Sequence, residues 1–223
     1  MGGAGAMISS MKHIVALISG RGSNLQAIWQ ACERERWSAR IGAVISDRAE
    51  AAGCDWARSK GIPVETLSPS RFADRAAFDH ALGELIDQQS PDVVVLAGFM
   101  RILGERLVDR YPGRMLNIHP SLLPSFPGLA THRRALEAGV RLHGATVHYV
   151  NAGLDAGPII AQAAVTVRSD DDERTLAARV LTLEHQIYPM ALRWHLEGRL
   201  HWDGQRVRLD EHAEREYLAW SAR

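Results

Sequence analysis

The sequence predicts an α/β fold: an open, twisted, mostly parallel sheet with helices on both faces. Three observations carry this. Short apolar runs alternate with amphipathic stretches through the first half, the pattern of strands joined by crossover helices. Runs such as Ile14–Ser19 and Asp92–Gly98 (DVVVLAG) show no polar alternation, as strands covered on both faces require. In the second half two β-rich runs follow each other with only a turn between them. The N-terminal half therefore reads as nucleotide-binding-like and the C-terminal half as mixed.

Ile14–Ser19 is the first strand. Gly20-Arg21-Gly22-Ser23-Asn24 breaks it, and Ser23 or Asn24 can cap a helix over Leu25–Arg36, whose Leu25, Ile28, Trp29 and Cys32 recur at helical spacing. Ile41–Ser46 is a second strand, Ala49–Lys60 a helix closed by Gly61, and Ile62–Leu67 a third strand. Arg71–Gln89 reads as a longer helix with Phe72, Ala76, Leu82, Leu85 and Ile86 facing inward, stopped by Pro91. The β-branched run Asp92–Gly98 belongs at the centre of the sheet. A helix near Leu103–Tyr111 and a strand at Met115–Ile118 lead into His119–Leu129 (HPSLLPSFPGL), an irregular apolar loop of the kind that lines clefts or packs as a connection. A short helix at His132–Ala138 precedes strands Gly144–Val150 and Pro158–Val167, paired through the Asn151–Gly157 turn. Asp172–Leu196 is a long helix ended by Gly198, Leu200–Val207 an Asp-Gly hairpin, and Asp210–Arg223 a final surface helix. The whole chain, residues 1–223, reads as a single domain; residues 1–10 are expected to be a disordered extension without the build of a signal peptide.

Composition narrows the function classes. Lys plus Arg (26) balance Asp plus Glu (26), which argues against a broad electrostatic footprint for nucleic acid or an anionic membrane. The densest apolar run, Val93–Met100, is too short to span a bilayer. Two cysteines, Cys32 and Cys54, exclude a disulfide scaffold and a four-cysteine zinc site, and suit a reducing cytoplasm. Ten histidines are present without an H-E-x-x-H spacing, so no metal site is expected.

Three segments have the residue types for chemistry. In Gly20–Asn24, glycines permit close backbone approach and the amides of the following helix favour an anion. The third glycine of a dinucleotide fingerprint is replaced by Leu25 and no Gly-Lys-Ser/Thr follows, so a single phosphate fits better than a pyrophosphate; a plain tight turn fits as well. In Asn117-Ile118-His119, residues two apart share one side of a strand and would present an amide donor and an imidazole at its carboxyl end, where open α/β sheets place ligands. That pairing suits oxyanion stabilisation and proton transfer, but taken in isolation a capping Asn beside a packed His is the commoner arrangement. Asp155, in Leu154-Asp155-Ala156-Gly157-Pro158, is part of a turn signature; folded back on His119 its carboxylate would orient the ring and favour the charged form. His148 reads as a strand residue beside the site or in the core, and the two cysteines as buried apolar groups.

LISGRGSNLQA (17–27), VVVLAGFMRIL (93–103), LNIHPSLLPSFPG (116–128), HGATVHYV (143–150), LDAGPII (154–160) and LEHQIYP (183–189) occur in the order seen in phosphoribosylglycinamide formyltransferases. The chain resembles that family from about Lys12 to Gly204. The resemblance implies the formyltransferase fold and a cytoplasmic transferase of purine biosynthesis and one-carbon metabolism. It implies transfer of the formyl group of 10-formyltetrahydrofolate, a co-substrate, to the amine of 5-phosphoribosylglycinamide, by direct amine attack through a tetrahedral oxyanion intermediate. It further implies catalytic roles for Asn117, His119 and Asp155, substrate phosphate and ribose binding by Gly22, Ser23, Asn24 and Glu184, and folate binding by Arg75, Met100, Arg101, Ile102, Leu103, Asn117, Asn151, Ala152, Gly153 and Leu154. Partners are then small molecules, with no metal, no nucleic acid and no membrane, and the protein is expected as a monomer or weak homodimer. Ala156 departs from many relatives, which have a second glycine there, and the segment before Met11 has no counterpart. A formate-releasing hydrolase of the same superfamily would carry a regulatory domain in front, and a formylase of methionyl-tRNA a basic domain behind; neither is expected here. A binder of phosphorylated ligands without turnover is the non-enzymatic alternative.

Overall fold

The computed structural model describes residues 11–203 and 205–221. The expected extension at residues 1–10 and Gly204 of the expected Asp-Gly turn lie outside the described residues. Seven strands form one sheet: β1 (Lys12–Ile18), β2 (Ala39–Ser46), β3 (Val64–Thr66), β4 (Val93–Leu96), β5 (Met115–His119), β6 (Leu142–Tyr149) and β7 (Ile159–Thr166). Their spatial order is β3-β2-β1-β4-β5-β6-β7. The first five are parallel, and β6 runs antiparallel to both β5 and β7. The β-branched run holds the central position, as its composition predicts.

The helices are α1 (Ser23–Glu35), α2 (Ala52–Ser59), α3 (Arg75–Gln88), α4 (Glu105–Val108), α5 (Thr131–Glu137), α6 (Glu173–Leu196) and α7 (Glu211–Ser221). A separate hairpin pairs β8 (Leu200–Trp202) with β9 (Val207–Leu209). Among the described residues, no helix is long and apolar enough to cross a membrane. Alternation along the strands divides the core in two. Ile14, Ala16, Ile18, Val93, Val95, Leu116 and Ile118 pack with Leu25 and Ile28 of α1 and with Val180, Ile187 and Ala191 of α6. Val15, Leu17, Val94, Leu96 and Met115 meet Phe78, Leu82 and Ile86 of α3 and Leu107 of α4. On β5 the second side continues from Met115 to Asn117 and His119, so the apolar cluster there gives way to polar side chains.

Several boundaries differ from expectation. Helix α1 starts at Ser23, not Leu25, and neither Ser23 nor Asn24 caps it; the cap is Gly22, left-handed at φ 71°. Glycine adopts that conformation without a side-chain penalty, and a Cβ on Gly22 would stand 3.1 Å from the Gly53 Cα. Helix α2 is shorter than Ala49–Lys60, and β3 shorter than Ile62–Leu67. The expected helix from Arg71 is interrupted: a 3-10 turn covers Pro69–Arg71, and α3 begins only after Asp74, whose Oδ1 accepts from the Ala77 amide at 2.8 Å. Phe72 lies outside the helix, edge-on to Phe78 with ring centres 5.7 Å apart. Leu103–Tyr111 is helical only over Glu105–Val108, and at its start the Gly104 amide donates to Asp79 Oδ2 at 2.8 Å.

One buried group ties the second half to the centre of the sheet. Tyr188 of α6 is fully buried, and its Oη lies 3.1 Å from the Leu96 carbonyl oxygen and 2.9 Å from that of Leu116, which share its proton. Tyr188→Phe removes this buried donor. The expected loss is about 0.5–1.5 kcal/mol, read as a lower urea midpoint with an unchanged slope; an unchanged midpoint would show the bridge to be neutral.

Candidate active site

The β5–β6 register pairs Asn117 with His148 and His119 with Thr146, placing all four on the side where the apolar cluster stops. Asn117 Nδ2 is 3.1 Å from His148 Nε2, and His148 Nδ1 is 2.8 Å from the Tyr149 carbonyl oxygen. The consistent assignment has Nδ1–H donating to that carbonyl and Nε2 accepting from Asn117. Burial holds the His148 pKa below its ordinary 6.5, so the ring is neutral near neutral pH. Asn117 spends one amide hydrogen on His148 and keeps a second for another acceptor.

Asp155 reaches the same place from the loop between β6 and β7. It is left-handed at φ 49°, a conformation that Asp tolerates better than most residues. Its Oδ2 accepts from the Gly128 amide at 2.8 Å and lies 3.4 Å from His119 Nδ1; its Oδ1 is 3.9 Å from His148 Nε2. His119 is 6% exposed, and its Nε2–H donates to the Phe126 carbonyl at 3.0 Å. A carbonyl and a carboxylate thus flank its two ring nitrogens, and an imidazolium can donate to both.

The glycine loop sits across the sheet at the carboxyl end of β1. Gly53 N–H donates to the Gly20 carbonyl at 3.0 Å, seating the loop against the start of α2. The first amides of α1 have no partner inside the helix and are oriented as an anion site. Asn24 Nδ2 donates to Glu184 Oε2 at 2.7 Å, linking α1 to α6. Glu184 is 7% exposed, and burial pushes its pKa above the ordinary 4.5 against the opposing pull of the Asn24 bond. The loop is also tied to β4: Ser19 N–H donates to the Gly98 carbonyl at 3.1 Å, and Ser19 Oγ accepts from the Met100 amide at 2.9 Å.

Apart from Asn117 on β5, the expected folate residues fall in two places. Met100, Arg101 and Ile102 line, with Phe72, Arg75 and Phe78, a cavity of about 480 Å³. Arg101 Nε donates to the buried Asp47 Oδ2 at 2.9 Å, and its guanidinium lies over the Phe78 ring. Leu103 does not line this cavity; its side chain packs into the core with α3 and α4. Asn151, Ala152, Gly153 and Leu154 are exposed on the β6–β7 loop. Asn151 spends its side chain on the loop itself, accepting from Gly153 N–H at 3.1 Å and donating to the Ala156 carbonyl at 3.3 Å. It also lines a separate groove with Trp202 and Arg206 of the C-terminal hairpin.

The Formyl transferase family model matches residues 12–192. Phosphoribosylglycinamide formyltransferase of Escherichia coli is 52% identical over 202 residues, which covers 87% of this chain and 95% of the relative. The chain belongs to the phosphoribosylglycinamide formyltransferase family. Among solved structures, glycinamide ribonucleotide transformylase 1 of Symbiobacterium toebii superposes with a TM-score of 0.87 at 49% identity, covering 90% of this chain and 95% of that one. A formyltetrahydrofolate deformylase of Pseudomonas syringae superposes at 0.84 with 29% identity, covering 91% of this chain and 67% of that one. In this family member, Asn117, His119 and Asp155 converge, and Asn24 joins Glu184, although these residues are far apart in sequence.

Reading the sequence left three residues without their place. His148 was open between site and core, because the β5–β6 register is invisible before the strands pair. Asp47 and Ser19 had a signal that went unused: each follows a parallel strand at its carboxyl end, where such sheets place their sites. Glu184 yields a test of the buried carboxyl. With its folded pKa raised, its contribution to stability is full below pH 4.5 and is lost as pH rises through the folded value. Glu184→Gln should therefore melt at a temperature close to the parent's in acid and above it near neutral pH, by calorimetry across pH. A gap that does not widen with pH would contradict the assignment.

Proposed function

We propose that the chain transfers the formyl group of 10-formyltetrahydrofolate to the amine of 5-phosphoribosylglycinamide. The observation that carries this reading is the convergence of an amide donor, an imidazole and a carboxylate from β5 and the β6–β7 loop, in a fold that also carries a glycine-capped helix start on α1. Family membership and the names of the relatives support it.

Chemically, the amine lone pair attacks the formyl carbon, an N–C bond forms and the carbonyl electron pair moves to oxygen. Asn117 gives its second amide hydrogen to that oxyanion, and imidazolium His119 supplies positive charge beside it. Asp155 accepts from His119 Nδ1–H and keeps the ring oriented, while the attacking nitrogen loses the proton that the leaving N10 gains. The C–N10 bond then breaks. The amides of Gly22, Ser23 and Asn24 take the ribonucleotide phosphate, and Glu184 accepts from a ribose hydroxyl. Arg75, Met100, Arg101 and Ile102 hold the folate, Leu103 contributes through its backbone, and Asn151–Leu154 border the folate from the other side. The enzyme works on small molecules in the cytoplasm, as a monomer or weak homodimer, and needs no metal.

Likeness to the deformylase supports a second reading, in which water replaces the amine and formate is released. One assay separates the two. Formyl donor with the ribonucleotide should give N-formylated ribonucleotide, while donor alone should give little formate; the reverse would establish the hydrolase. His119→Ala should lower kcat by about 10²–10⁴ and still bind the ribonucleotide in calorimetry. Asp155→Asn should lower kcat by about tenfold or more, since an amide cannot balance an imidazolium. Near-parent kcat in either variant would remove that residue from the chemistry.

A further inference from the structure

We propose that Tyr217, on the C-terminal helix, is a positioning residue for the loop that orients His119. The starting observation lies at the open edge of the sheet. Strand β7 is the last strand, so its outward backbone groups have no neighbouring strand. At Gln162 they are capped by one side chain: Tyr217 Oη donates to the Gln162 carbonyl at 2.5 Å and accepts from its amide at 3.0 Å. Helix α7, which carries Tyr217, lies beyond the 12–192 match to the formyl transferase family.

From Gln162 the bonds run inward without a gap. Its side-chain Nε2 donates to the Leu123 carbonyl at 2.8 Å and to Thr146 Oγ1 at 3.0 Å. The same Thr146 hydroxyl accepts from the Leu123 amide at 3.0 Å and donates to the Ser121 carbonyl at 2.7 Å. Its one hydrogen and two lone pairs are all used, and Thr146 is fully buried. Ser121 Oγ then donates to the Ser125 carbonyl at 2.6 Å, closing the loop on itself one residue before Phe126. The Phe126 carbonyl is the acceptor for His119 Nε2–H. At the buried centre of this network, Thr146 and Ser121, a shift would strand a polar group in a dry environment, which favours one geometry.

Tyr217 is itself fixed. Its ring stacks on Trp220 and meets Trp194 edge-on, and Trp194 Nε1 donates to Glu216 Oε2 at 2.8 Å. Removing the hydroxyl alone leaves those ring contacts and uncaps Gln162. The backbone of β7 then loses its outer restraint, and with it the placement of the amide that pins the 121–125 turn.

The kinetic arm rests on the formyl-transfer reading; the exchange arm does not. In Tyr217→Phe, hydrogen exchange should quicken at the amides of residues 121–126 as well as at Gln162, kcat should fall about threefold to tenfold, and KM for the ribonucleotide should hold. Thr146→Val should reproduce both changes, Thr146→Ser should not, and the Tyr217→Phe/Thr146→Val pair should be no worse than Thr146→Val alone. Faster exchange confined to β7 and α7, with residues 121–126 and kcat at parent values, would overturn the proposal and leave Tyr217 as a cap on the sheet edge. Parent protein without formyl transfer would remove the reaction and leave the exchange result to decide the linkage.

Discussion

The site depends on where one carboxylate is held. Asp155 is contributed by a turn that has no regular structure of its own, yet its oxygens face His119 at 3.4 Å and His148 at 3.9 Å. Two features fix it. Its own left-handed backbone turns the side chain back toward β5, and the Gly128 amide binds the oxygen that faces His119. That bond joins the β6–β7 loop to the end of the proline-rich loop, so neither can move without disturbing the other. Without the carboxylate, His119 would be a buried ring with a single carbonyl partner.

Around that point the fold assigns opposite electrostatic tasks to similar groups. His148 is kept neutral by burial and serves as an acceptor that orients Asn117. His119, two residues from Asn117 on the neighbouring strand, has acceptors on both nitrogens and can carry charge. Glu184 sits where burial opposes ionisation, with the Asn24 amide as its hydrogen-bond donor, whereas Asp47 faces the Arg101 guanidinium directly. These placements follow from strand ends and loops at the rim of a sheet whose centre is apolar, the general arrangement of ligand sites in open α/β sheets.

The sheet was readable in the sequence because strands buried on both faces leave unbroken β-branched runs, and Asp92–Gly98 announced the centre in that way. The antiparallel pair was readable from two such runs separated by a turn. Helix boundaries were less so. Asp74 reads as an ordinary polar residue until its side chain is seen to cap α3, and the Gly104 amide is diverted by Asp79, a residue 25 positions away in sequence. Asn117 and His119 were visible as a pair through strand periodicity; the approach of Asp155 was not, since it requires a loop conformation that spacing does not encode. The burial of the Leu103 side chain was not legible either, because a contiguous segment does not reveal which of its side chains turn into the core.

The most direct measurement is a crystal structure with 5-phosphoribosylglycinamide and a stable analogue of 10-formyltetrahydrofolate bound together. The account predicts the phosphate on the amides of residues 22–24, the ribose hydroxyls at Glu184, and the amine beside the formyl-bearing position within hydrogen-bonding reach of Asn117, with Asp155 still facing His119. A phosphate bound elsewhere, or an Asp155 carboxylate turned into solvent in the ternary complex, would contradict it.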